Sequence, residues 1–161
     1  MSDLRATLLD QLTKLLDGGE AHVRFDDATS NLPFNKQGIA PANLPYSAWQ
    51  LLEHLRIAQH DILEFSDNAD NHYKSMAWPD DYWPKNPAPP NETAWQHSID
   101  QIRADRKRFE ALLQTADLIT PFPWGQGQTL LREAFLIADH NSYHLGELIA
   151  VRRLLNEWKP A

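Results

Sequence analysis

Apolar side chains return every three or four residues in four stretches of the chain, the spacing that lines one face of an α-helix. Leu4, Leu8, Leu12, Leu15 and Leu16 make the first such face. Ser2 or Asp3 can cap its start, and Gly18-Gly19 ends it. A short second helix is expected from Glu20 to about Thr29. Pro33, Gly38, Pro41 and Pro45 then punctuate the backbone too often for regular structure. The helical period resumes from Tyr46 to about Phe65, where Ser47, Leu51, His54, Ala58, Asp61 and Phe65 share a face. A third long helix is expected from about Glu92 to Thr115, on the stripe Trp95, Ile99, Ile102, Arg106, Phe109 and Leu113. The last runs from about Thr129, a residue suited to the N-cap, to Trp158. Its stripe is Leu130, Ala134, Ile137, His144, Leu148, Val151 and Leu155. No segment sustains strand alternation, and no internal repeat is visible. Three or four long amphipathic helices in one all-α domain over residues 1–161 predict a helix bundle.

One stretch breaks the period without reading as a plain linker. From about Asn68 to Asn91 the chain holds Pro79, Pro84, Pro87, Pro89 and Pro90, with Trp78, Tyr82 and Trp83 among them. It is too long and proline-rich for a routine connection, yet its large aromatics favour burial. It predicts a long crossover. Trp78, Tyr82 and Trp83 then either wall a substrate pocket over the bundle or pack on the bundle exterior. Arg106, set among apolar neighbours, either snorkels to an ion pair or meets an anion in a substrate pocket.

Composition narrows the chemistry. Among 161 residues there is no cysteine. Disulfides, thiolate metal sites, iron–sulfur clusters and a cysteine nucleophile are therefore excluded. The 15 Lys+Arg against 22 Asp+Glu leave a net charge of −7, which disfavours a nucleic-acid partner. No apolar run approaches the ~20 residues that span a bilayer, so no membrane span is expected. Met1-Ser2-Asp3-Leu4-Arg5 lacks the basic start and apolar core of a signal peptide. A cytoplasmic domain is the expectation.

The seven histidines carry the remaining signal. His140 and His144 stand four residues apart on a predicted helix, so their rings project from one face about a turn apart. That spacing lets two imidazoles share a metal ion. His54 lies on the inward stripe of another helix. If the two helices are neighbours, three imidazole nitrogens converge and leave coordination positions open, as in a catalytic site. The alternative is a set of hydrogen-bonded core histidines. His22, His60, His72 and His97 fit such ordinary roles better. Asn141 follows His140 where the metalloprotease helix motif needs Glu, so that motif is absent.

Ser47-Ala48-Trp49-Gln50-Leu51-Leu52-Glu53-His54-Leu55 resembles the first signature helix of the DinB/YfiT-like superfamily. Ala138-Asp139-His140-Asn141-Ser142-Tyr143-His144-Leu145-Gly146-Glu147-Leu148 resembles its second. Trp78-Pro79-Asp80-Asp81-Tyr82-Trp83-Pro84 is similar to a subgroup. The resemblance implies an up-down-type four-helix bundle with a three-histidine metal site matched at His54, His140 and His144, and a homodimer. It also implies thiol-dependent S-transferase or isomerase chemistry in some relatives.

The resulting expectation is a metal-dependent hydrolase or low-molecular-weight-thiol S-transferase acting on a small electrophilic substrate. The alternative is a non-catalytic metal-binding helical dimer or interaction module. One divalent ion per chain is expected, zinc or nickel first, with iron or copper also suited to imidazole. Asp61 and Glu147 are candidates for ligand support or general base, with surface carboxylates as the alternative. Tyr143 is a candidate polar contact, with core packing as the alternative. Gly146 is expected to permit close helix packing.

Overall fold

The computed structural model describes residues 3–18 and 21–158. Its helices are α1 (Leu4–Asp17), α2 (Phe25–Thr29), α3 (Phe34–Gln37), α4 (Ala48–Ser66), α5 (Ala94–Thr115) and α6 (Leu130–Leu154). No strand occurs among the described residues. Three of the long helices begin on a side chain that satisfies a first-turn N–H. The Asp3 carboxylate accepts from the Arg5 N–H, and the Thr129 hydroxyl from the Arg132 N–H. Ser47 and Gln50 form a capping box at α4. Ser2, Gly19 and Glu20 lie outside the described residues. Gly18 ends α1 with φ 71°, a left-handed backbone that suits glycine.

Three boundaries differ from the pattern. The second helix starts at Phe25, because Arg24 is extended and Asp26 and Asp27 supply the acidic first turn. α3 forms inside the proline-rich loop, following extended Pro33, with the Gln37 amide donating to the Leu32 carbonyl. α6 ends at Leu154 instead of Trp158. Asn156 turns left-handed at φ 59°, and Trp158 returns beneath the Arg152 guanidinium, 5.2 Å from its ring centre.

Helix directions follow from cross-contacts. Arg5 on α1 reaches the Leu113 carbonyl on α5 and Asp17 reaches Arg106, so these two are antiparallel. Glu53 meets Ser98 and Glu64 meets Arg108, so α4 and α5 are parallel. His54 meets His144 and Gln59 meets Asn141, so α4 and α6 are antiparallel. The four long helices run up, down, down, up. The crossover between α4 and α5 is long because it must return the chain to the end where α4 began.

The apolar core divides in two. One cluster joins Trp49, Leu52, Leu55, Ile99 and Leu148. The other joins Leu12, Leu63, Phe109, Leu130 and Ile137. Between them runs a belt of buried polar groups, including His54, Gln59, Asp105 and His144. Buried polar groups need partners, and this belt is where the bundle departs from a plain apolar core. No helix among the described residues is long and apolar enough to cross a membrane.

Candidate metal centre

The second turn of α4 and the middle of α6 bring His54, His140 and His144 together. Their ligand atoms all lie within 4.8 Å of one another. His54 Nε2 is 3.1 Å from His144 Nε2 and 3.0 Å from His140 Nε2. The partners of the other ring nitrogens decide what those short distances mean.

His54 Nδ1 is 2.9 Å from the Tyr82 carbonyl oxygen. A carbonyl only accepts, so Nδ1 carries the proton and Nε2 presents a lone pair. His144 Nδ1 is 2.7 Å from Glu147 Oε2, and the carboxylate fixes the same tautomer. The two Nε2 atoms therefore face each other with lone pairs and no proton between them. A cation resolves that repulsion. A four-coordinate zinc with ligand bonds of about 2.0–2.1 Å holds its nitrogens about 3.3 Å apart, close to the spacing here. The donor set fits a divalent ion. His140 Nδ1 is buried and has no hydrogen-bond partner among the described residues.

The electrostatics agree. Burial holds the His54 imidazole down to about 4, against the pull of the Tyr82 carbonyl. Burial, with the neighbouring His144, holds His140 to about 4 as well. Neutral imidazole is the form that binds metal.

The crossover locks this geometry. Trp83 stacks on His54 with ring centres 3.8 Å apart, and Tyr46 stacks on Trp83 at 3.9 Å. The Gln50 amide donates to the Pro84 carbonyl and the Ser47 hydroxyl to the Pro87 carbonyl. Proline lacks an N–H, so this loop offers α4 mainly acceptors. A short 3₁₀ turn, Asp80–Tyr82, aims the Tyr82 carbonyl at His54.

A match to the DinB superfamily family model spans residues 5–148. The chain belongs to the DinB superfamily. No curated protein and no solved structure matches it. As a DinB-superfamily bundle with three convergent imidazoles, the protein can hold a metal ion at His54, His140 and His144.

The other candidate residues divide between the centre and the rest of the bundle. Glu147 holds His144. Tyr82 and Trp83 both touch His54. Trp78 is 72% exposed and meets only the edge of Tyr82 among aromatic rings. Tyr143 is 65% exposed, with its ring edge-on to His144, so it is not a core residue. Gly146 faces open space, with nothing within 4 Å of an added Cβ, so it permits no close helix contact within this chain. Arg106 forms the ion pair, 3.3 Å from Asp17 and 4.0 Å from Glu110. Asp61 stands apart from the histidines and accepts from the Tyr73 and Tyr82 hydroxyls, at 3.0 and 2.6 Å. His22, His60 and His72 serve elsewhere, against Ser142, Asp105 and the Glu64–Asp70 pair respectively.

Two residues escaped the sequence reading. Tyr46 lay at a helix boundary and gave no sign of its stack on Trp83. Glu133 is 2% exposed and stands seven residues before His140, hence on the same helix face. That spacing is the signal that could have found it.

Proposed function

We propose that this protein is a metal-dependent enzyme, a hydrolase or a low-molecular-weight-thiol S-transferase, acting on a small electrophilic substrate. The observation that carries the reading is the approach of the His54 and His144 Nε2 lone pairs, both fixed by Nδ1 partners. Three neutral imidazoles leave a divalent ion's charge uncompensated and a position open, unlike a closed structural site. Zinc or nickel is favoured, with iron or copper compatible with the same donors. When bound, such an ion lowers the pKa of a water or thiol at its open position.

The chain's own residues do the rest. His54, His140 and His144 supply the Nε2 donors. The Tyr82 carbonyl and Glu147 Oε2 hold the Nδ1 protons of His54 and His144, keeping both rings oriented. Trp83 covers one face of His54 and excludes water from that side. Asp61 is not favoured as the base, since both its oxygens already accept phenol hydrogens. The absence of cysteine means that a sulfur nucleophile comes from a second substrate. A second copy of the chain is the protein partner favoured by this reading, with exposed Phe135, Tyr143 and Leu154 along α6 as the covered face. The compartment favoured is the cytoplasm.

The test has two arms. Metal-loaded protein is assayed with thiol–electrophile pairs and with simple esters and amides, beside its His54→Ala variant. Turnover in one class that the variant lacks is the expected result. No turnover in any class, together with a much lower melting temperature for the metal-free protein, would support a structural metal instead.

A further inference from the structure

Beyond the triad, the α4–α6 seam opens into a cleft of about 430 Å³ that no triad histidine lines. Its charged lining is Asp61, Glu133 and Arg132, with Ser75, Gln126 and Gln128 as neutral polar neighbours; its apolar wall includes Phe65, Tyr73 and Trp124. The aromatic wall is held in place. Phe65 meets Tyr73 edge-on at 5.5 Å, and the Trp124 indole N–H donates to the Phe65 carbonyl at 2.8 Å.

The distribution of donors is uneven. Tyr73 and Tyr82 both spend their hydroxyl hydrogens on Asp61, leaving oxygen lone pairs. Glu133 is 2% exposed, and only its Oε1 is paired, 2.8 Å from the Arg132 guanidinium. Among the described residues its Oε2 receives no hydrogen bond. That oxygen is not fully buried, so a donor in the cleft can reach it. Burial pushes the Glu133 carboxyl above its usual range, against the pull of Arg132, and the nearby Asp61 charge pushes the same way. The aromatic faces add negative quadrupoles to the same space.

We propose that this cleft binds an organic ammonium ion, with its charge between Asp61 and Glu133 and its apolar body against Phe65, Tyr73 and Trp124. An anion would meet two carboxylates and one cation, Arg132, already paired. A metal ion is disfavoured because, among the described residues, only the triad groups three ligand side chains closely enough. An ammonium supplies the donors that Glu133 lacks, and a ring or alkyl body fills the aromatic wall. The site goes beyond the metal-enzyme reading and stands whether or not that reading holds.

Benzylamine, protonated at pH 7.5, and benzyl alcohol, its neutral analogue, are titrated into the full chain by calorimetry at low salt. One saturable benzylamine site per chain is expected, with benzyl alcohol at least about tenfold weaker, the equivalent of one charged hydrogen bond. Asp61→Asn and Glu133→Gln each weaken benzylamine by a similar factor. Trp124→Leu, on the opposite wall, weakens it too and carries the test if Glu133→Gln does not fold. A folded His54→Ala variant binds benzylamine like the wild type. The proposal is overturned if benzylamine does not saturate, if the alcohol binds as tightly, or if the carboxamide variants bind unchanged. Loss of binding in folded His54→Ala also overturns it, because the ligand would then sit at the triad. Metal content is read separately, so failure of this site and failure of the metal reading are distinct results.

Discussion

The histidine triad and the Asp61 cleft are built from the same two helices, yet their buried polar groups are completed in opposite ways. In the triad the outer nitrogens of His54 and His144 are satisfied and the inner ones face each other with lone pairs. In the cleft each Asp61 oxygen accepts from one phenol, while Glu133 keeps one unpaired oxygen. Tyr82 belongs to both regions: its carbonyl fixes His54 and its hydroxyl fixes Asp61. A helix pair thus sets where polar groups stand. The crossover packed against it sets what those groups still need.

The widest separation of the two regions comes from truncating the triad. His54→Ala or His144→Ala should reduce bound metal from about one ion per chain to near none by elemental analysis, while Asp61→Asn leaves it intact. Unaltered metal content in both histidine variants would sink the site assignment. Next in size, Glu147→Ala should weaken metal about 10–100-fold in a chelator competition, because His144 loses its orienting carboxylate. Asp61→Asn should not, and equal losses would erase the difference between the two regions.

Acid separates the regions as well. In the metal-free protein His54 and His140 titrate near 4, below the ordinary 6.5. Between pH 6.5 and 4 the unfolded chain binds protons that the folded chain does not. Their contribution to stability is complete above about 6.5 and disappears as pH falls toward 4. Denaturant midpoints across this window should fall, and the fall should be shallower in a His54→Ala/His140→Ala double variant. A smaller effect is expected from Asp61→Ala, which strands two phenols. A stability loss of about 1–3 kcal/mol should appear in urea, with metal content unchanged. Smallest is Trp83→Leu, which removes the stack on His54 and should cost about 0.5–1.5 kcal/mol beyond lost burial. Thermal melts of the metal-free protein would measure it.

The triad was legible because its members obey helical period: His140 and His144 one turn apart, and His54 on the Leu51–Ala58 stripe. The helix starts at Ser47 and Thr129 were legible from capping chemistry. Tyr82 was legible only as an aromatic. Its use of a main-chain carbonyl has no side-chain signature, since every residue carries one. Asp61 shares the His54 face, as its spacing predicts, but seven residues of helix and two tyrosines from a loop give it a different task. Tyr143 and Gly146 misled because periodicity around two inward histidines does not say how wide the buried face is. The neighbouring helices cover His144 and leave Tyr143 outside.

The sequence by itself determined the helical period, the caps and the absence of any protein thiol, which leaves only nitrogen and oxygen for a metal site. These are local or compositional properties, fixed by spacing and residue type. Tertiary structure alone decided that α4 and α5 run parallel, that the core divides around a polar belt, and which atom orients each ring. Those outcomes rest on contacts between residues far apart in the chain, such as His54 with the Tyr82 carbonyl and Asn141 with Gln59. Folding brings such pairs together by burying apolar faces elsewhere, and no local pattern encodes the pairing.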